Sequence, residues 1–291
     1  MPRPPRSLPD SLDDSFRIGD AVRAGVTLGR LRALDLERPF RGVRTKRIIE
    51  AYAADEDESP LTIDRETRRA VMRRVRAYAL VMPPNAFFAG RTAAVAQRLP
   101  VEHDPGADLC VAMHSPARGL RGGGIRGIKV SPNLASVRMV EDLRVTSPAS
   151  TWAMLAGELS QRELVVLGDA IVRVPRDATG RPQPGLRLAS IDQLRLAARA
   201  PWRRRRALLE AALQQIRVGS MSPLETDFRL GAAAEGLPEP ELDVEIREAG
   251  GRLLGISDAV YREQRTIVEV EGDHHRTTRA QWNRDIEKYA A

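Results

Sequence analysis

The sequence predicts an α/β protein of the α+β kind, and three observations carry that expectation. A capped helix, three strands and a second helix follow one another over residues 222–289. The first fifty residues set two short helices ahead of a strand–turn–strand, and a long stretch of mixed helical and extended pattern lies between. A chain of 291 residues has room for two or three domains with sizeable cores.

The C-terminal series is the most regular. Ser222-Pro223-Leu224-Glu225 opens a helix, with serine at the N-cap, proline at N1 and glutamate at N3. The helix runs to about Glu235, where Gly236-Leu237-Pro238 stops it. Strands follow over Glu241–Arg247 and Arg252–Val260, joined by a turn at Ala249-Gly250-Gly251. The third strand is Thr266-Ile267-Val268-Glu269-Val270-Glu271. Gly272 ends it, and a helix starting at Thr277 or Thr278 passes through Trp282, Asp285 and Tyr289.

Side chains two apart on a strand share a face, so Glu269 and Glu271 project together. Val268 and Val270 then turn the other way, into a core, which predicts a central strand. Two such carboxylates repel by roughly 4 kcal/mol at an effective dielectric of 20, and a hard divalent ion between them removes the penalty. With Asp258 on the preceding strand, the pattern points to a metal-dependent hydrolase.

Helix–strand–strand–strand–helix with an aspartate on the second strand and E-x-E on the third resembles the PD-(D/E)XK nuclease superfamily. More closely, "VEVEGDHHRTTRAQWNRDIEKY" is similar to very-short-patch-repair-like endonuclease domains. The resemblance covers roughly residues 207–291 and implies a restriction-endonuclease-like αβββα core. It implies Asp258, Glu269, Glu271 and His275 as catalytic residues, with Asp258, Glu269, Glu271 and Glu225 holding Mg²⁺ or Mn²⁺. Asp285 matches the acid of the following helix. The superfamily's usual lysine is replaced by Glu271, an acid common in this branch though usually one methylene shorter. The chain stops six residues after Asp285, where the family continues into another strand and helix, so it reads as truncated.

Other readings of these residues stay open. Glu225 is equally the N3 acid of a capping box, Asp273 a turn residue beside Gly272, and Asp285 a surface partner of Arg284 or Lys288. His274 and His275 can cap the next helix, or one can orient water or a phosphate. If the nuclease reading holds, the metal lowers the pKa of bound water, the hydroxide attacks a phosphodiester in line, and His275 serves as general acid/base or phosphate contact.

Composition bounds the rest. Cys110 is the single cysteine, inside the apolar stretch Leu109–Met113, so no internal disulfide forms and a buried small hydrophobe is expected. "MPRPPRSLPDSLDD" has no apolar signal core and no run reaches membrane-span length, which predicts no membrane partner and a bacterial-type cytoplasmic protein. The net charge of +7 is unevenly spread. Residues 1–50 hold 11 basic against 7 acidic side chains, residues 51–206 hold 25 against 16, and residues 207–291 hold 10 against 16. Attraction to phosphate would therefore come from the first two stretches.

At the N-terminus "SFRIGDAVRAGVTLGRLRALDLERPFRGVR" reads as a helix ending near Ala24, a turn at Gly25, an N-cap at Thr27 and a short helix through Arg30 and Arg32. "ERPFRGVR" is a strand–turn–strand wing. Over about fifty residues this is similar to the winged helix-turn-helix domain of AbiEi-type antitoxins, which implies DNA binding by Arg30, Arg32, Arg41 and Arg44. A small protein-contact domain remains the alternative.

The organisation expected is a winged helix at 1–52, an acidic linker "AADEDESP" at 53–60, a mixed middle region at 61–206 and the nuclease-like domain at 207–291. Within the middle region the pattern predicts helices over Arg65–Leu80 and Thr92–Arg98, a capped helix in "SPASTWAMLAGEL", and a buried strand in "ELVVLGDAIVRV" with Asp169 structural there. "RGLRGGGIR" lacks the lysine and hydroxyl of a P-loop and reads as a hairpin turn or a mobile phosphate-contacting loop. Arg203–Arg206 is a solvated run or a DNA backbone contact, with Arg203 and Arg204 the candidates. The functional classes left standing are a DNA endonuclease, an operator-binding regulator or antitoxin without chemistry, and a module that binds a cognate toxin.

Overall fold

Gly25, at φ +83°, turns the chain back after its first helix and so brings the opening residues into one small layer. The computed structural model describes residues 5–47 and 60–270. β1 (Ser15–Arg17) runs into α1 (Ile18–Arg23), and a single 3-10 turn at Arg30–Arg32 stands where the second helix is expected. Thr27 Oγ1 accepts the Arg30 N–H at 3.2 Å, as its expected capping role requires. β2 (Leu36–Glu37) and β3 (Val43–Lys46) complete an antiparallel sheet in the order β1-β3-β2. Its core is Leu12, Phe16, Ala21, Val26, Leu31 and Leu36.

α2 (Pro60–Ala79) buries Val71, Val75 and Tyr78, spaced four and three apart, on one face and carries arginines around the rest. It packs with β4 (Ala86–Phe88), α3 (Gly90–Ala96) and β5 (Leu109–His114). β6 (Arg121–Gly122) and β7 (Ile125–Val130) form a hairpin from the Gly/Arg stretch, and β8 (Val137–Val140) and β9 (Leu143–Thr146) form another. The six strands lie in the order β6-β7-β5-β4-β9-β8. β5 runs parallel to β7, and β4 parallel to β9. The two inner strands β4 and β5 are apolar at almost every position, as burial on both faces demands. Cys110 is buried among them.

These elements make one compact unit, Met1–Ser147; a second runs Pro148–Ala291. The expected middle region, 61–206, contributes to both, and of the expected linker only Pro60 is described. The second unit opens with α4 (Pro148–Leu155), α5 (Gln161–Val172), α6 (Ile191–Arg199) and α7 (Arg206–Gln215), followed by α8 (Pro223–Ala234). β10 (Glu241–Arg247), β11 (Leu253–Tyr261) and β12 (Thr266–Val268) form an antiparallel sheet in that order.

Two expectations are corrected here. "ELVVLGDAIVRV" is helical, not a strand: Ser160 and Glu163 close a capping box at the start of α5. Leu164, Leu167 and Ile171, three and four apart, then face the helical core, which a run of buried residues disguises as a strand. The third strand is shorter than expected: β12 ends at Val268, so Glu269 follows it instead of lying within it. Among the described residues β12 pairs only with β11, and Ile267 is exposed.

Asp169 has the structural role expected of it. Only 1 % exposed, it meets Arg229 Nη2 at 2.8 Å, Thr226 Oγ1 at 2.9 Å and the Arg217 N–H at 2.8 Å, tying α5 to α8. Among the described residues no helix is long and apolar enough to cross a membrane.

Candidate functional site

The register of the second unit's sheet brings two acids together. Leu242 faces Ala259 and Val244 faces Ser257, so the residues between them, Asp243 and Asp258, fall at the same level of the sheet. Cross-strand neighbours share a face, so the two stand side by side on β10 and β11. On the other side Ala259 faces Val268, the last residue of β12, and Glu269 follows it beyond the paired ladder. Asp258 Oδ2 accepts the Val270 N–H at 2.7 Å, which pins the end of the third strand to the second.

α8 brings a third carboxylate to the same place. Ser222 Oγ accepts the Glu225 N–H at 3.2 Å, while Glu225 Oε2 reaches back to accept the Met221 N–H at 2.7 Å. Glu225 is therefore the capping acid of its helix, and it is also only 8 % exposed. Burial pushes its carboxyl above the usual range, and the charges of Asp258 and Asp243 push the same way; the Met221 N–H and Ser222 oppose them. The capping role and proximity to the acids thus coexist in one side chain.

Arg176 answers part of this negative charge. Its Nε lies 2.8 and 2.9 Å from the two Asp243 oxygens, Nη1 lies 3.1 Å from Glu245, and Nη2 donates to the Asp243 carbonyl at 3.0 Å. Asp243 itself takes φ +54°, an unusual backbone for aspartate that turns the strand at this point. The hydrogen bonds it donates to Asp243 hold the Arg176 guanidinium even more firmly protonated than usual. Sequence reasoning missed both residues. Asp243 was visible as a candidate, because Glu241, Asp243 and Glu245 alternate with Leu242, Val244 and Ile246, but its level opposite Asp258 depends on the bulge between Ile246 and Arg247. Arg176, far away in the chain, gives no local signal.

The structure therefore brings Glu225, Asp258 and Asp243 to one region of the second unit; Glu269 follows the end of β12, and Glu271, His275 and Asp285 lie outside the described residues. The described acids do not by themselves fit a metal ion. Asp243 is chelated by Arg176, one Asp258 oxygen is held by a backbone N–H, and among the described residues no group of three or more His, Cys, Asp or Glu is placed to hold an ion.

The candidate DNA contacts differ in availability. Arg30 is committed to Asp35, at 2.8 and 2.6 Å, and its side chain is 11 % exposed. Arg44 donates to the carbonyls of Leu31 and Val43, both at 2.8 Å; burial lowers its pKa, and Arg38 nearby adds to that. Arg32 and Arg41 are exposed. Arg203 is half-buried and donates to the Ala197 carbonyl at 2.9 Å, whereas Arg204 is exposed.

No family model matches the chain, no curated protein matches it, and no solved structure matches it.

Proposed function

We propose that the protein binds DNA and that its second unit is a PD-(D/E)XK-type, metal-dependent endonuclease domain that hydrolyses phosphodiester bonds with Mg²⁺ or Mn²⁺. The pairing of Asp243 and Asp258 beside the buried Glu225, with Glu269 following on from β12, is the observation that carries this reading. An inert scaffold has no need to hold acids this close against their repulsion. The order of α8, β10, β11 and β12 supports it, because that is the helix-then-three-strands order of the class. In this reading Asp258 and Glu269 are the central ligands, Glu271 and His275 complete the set, and Glu225 is the group best placed to hold or release a proton. The small sheet and turn at the N-terminus support a winged-helix module, with Arg32 and Arg41 available for phosphate.

A second reading has one observation in its favour. Arg176 neutralises Asp243 in place, which a purely structural acid cluster also requires. Under that reading the chain is an AbiEi-type regulator or antitoxin that binds operator DNA, or a cognate toxin, without cutting. Cleavage of supercoiled plasmid and short duplexes by the full chain, with Mg²⁺ or Mn²⁺, separates the two. The nuclease reading expects metal-dependent cutting that falls about 100-fold or more in both Asp258→Ala and Glu269→Ala. Salt-sensitive DNA binding with no cutting in either metal sinks it and leaves the regulator.

A further inference from the structure

The arginines of α2 do not all serve the same purpose. Arg74 turns inward and donates to the Ala107 carbonyl at 2.6 Å. Arg65, Arg68, Arg69, Arg73 and Arg76 instead line a cleft of about 1300 Å³ within the first unit, whose other walls come from β1 and the aspartates ahead of it, β3, the end of α3 and the turn between β8 and β9. Eight of its lining side chains are basic and four are acidic. Arg68, Arg73 and Arg76 are anchored, to the Val95 carbonyl at 2.6 Å, to Glu37 at 3.4 Å and to Glu141 at 3.2 Å. Arg65, Arg69 and Arg98 are exposed and, among the described residues, have no acidic partner.

Arg98 occupies a position that chemistry alone would give to glycine. The N–H of Leu99 bonds to the Ala94 carbonyl at 3.0 Å and that of Arg98 to Val95 at 3.1 Å, which closes α3 with a Schellman motif. Its C′ residue, Arg98, therefore takes φ +58°. A long side chain held in a left-handed conformation and facing a cleft is strain looking for a use. Arg68 sits close enough that its guanidinium is pushed below its usual pKa, by burial first and then by the charge of Arg98. An anion between them offsets the repulsion of the two guanidiniums.

We propose that this cleft binds the phosphodiester backbone of a nucleic acid through Arg65, Arg69 and Arg98. Arg65 and Arg69 are one helical turn apart, about 6 Å along the axis, a spacing comparable to that of successive phosphates. Arginine forks suit phosphate oxygens. Among the described residues no aromatic side chain lines the cleft, which favours backbone contact independent of sequence over base stacking. The proposal rests on the reading of the chain as a DNA-binding protein and gives it a surface apart from the wing.

The test is fluorescence anisotropy of a labelled duplex and a labelled single strand with the full chain over a salt series. Two variants are compared, Arg65→Ala/Arg69→Ala/Arg98→Gly and Arg32→Ala/Arg41→Ala, with inorganic tripolyphosphate as competitor. The cleft variant is expected to lose at least about 10-fold in affinity, with a salt slope shallower by about 2 to 3. Its urea midpoint is expected at or above that of the parent chain, because Arg98→Gly removes the left-handed strain. Unchanged affinity and slope in the cleft variant, while the parent binds either nucleic acid, overturns the cleft and leaves DNA binding standing. A parent that binds neither nucleic acid overturns the DNA-binding reading itself. Tripolyphosphate bound through the cleft in that case marks a small-polyphosphate site and overturns the nucleic-acid assignment.

Discussion

Glu225 is the residue whose charge the fold controls most visibly. Its pKa is raised above the ordinary 4.5 by burial and then by Asp258 and Asp243, so between that value and its folded pKa the native state binds more protons than the unfolded state. Stability from this group is full below the ordinary value and declines as pH rises through the folded one. Glu225→Gln keeps an acceptor for the Met221 N–H and removes the titration. A urea-midpoint series over about pH 4 to 8 should therefore show a flatter acid-to-neutral decline in the variant; an identical slope would mean the carboxylates do not crowd. Asp169 is shifted upward as well, by burial, so the difference between the two proteins is the informative quantity. At this scale the sequence was readable where a helix start names its own acid, as Ser222 does for Glu225. It was silent where the partner came from elsewhere in the chain, as Arg176 does for Asp243.

At the scale of elements, the lesson lies in α5. Its apolar residues suit either periodicity over a short window, and the deciding signal was the cap: Ser160 followed three residues later by Glu163. Ser160→Ala should cost about 1 kcal/mol of stability by chemical denaturation. Gly168 reports how closely α5 meets the residue that ends α7. A Cβ there would stand 2.2 Å from Ile216 Cδ1 and 2.7 Å from its Cγ1, so Gly168→Ala should destabilise by about 1–3 kcal/mol, read in the same experiment. A neutral result would mean that Ile216 has room to turn aside. The bounds of the C-terminal hairpin were legible to within a residue, because Gly250-Gly251 and the alternation of β10 mark them, but its register was not, since a bulge between Ile246 and Arg247 shifts the pairing. The end of β12 at Val268 was not legible either, because the apolar alternation runs on past it.

For the molecule as a whole, the mixed α and β class was legible because capped helices and alternating strands punctuate most of the chain. The division at Ser147 was not, because α4 follows β9 with no change in composition to mark it. The excess of basic residues ahead of residue 207 was visible from the start; its focus on one face of α2 needed the fold.

The sheet order of the first unit also governs how that unit is made. β4 is synthesised first of its six strands yet ends up between β5 and β9, paired in parallel with the last of them at Phe88 and Val145. Such long-range parallel pairing is slow, and its loop must close before any bond rewards it. A nascent chain therefore carries β4 with one edge open until Thr146 has cleared the ribosome. Chains stalled with β9 still in the exit tunnel should be cut rapidly by added protease, and chains released past it should resist, so translation itself sets when the first half of this protein becomes safe from aggregation.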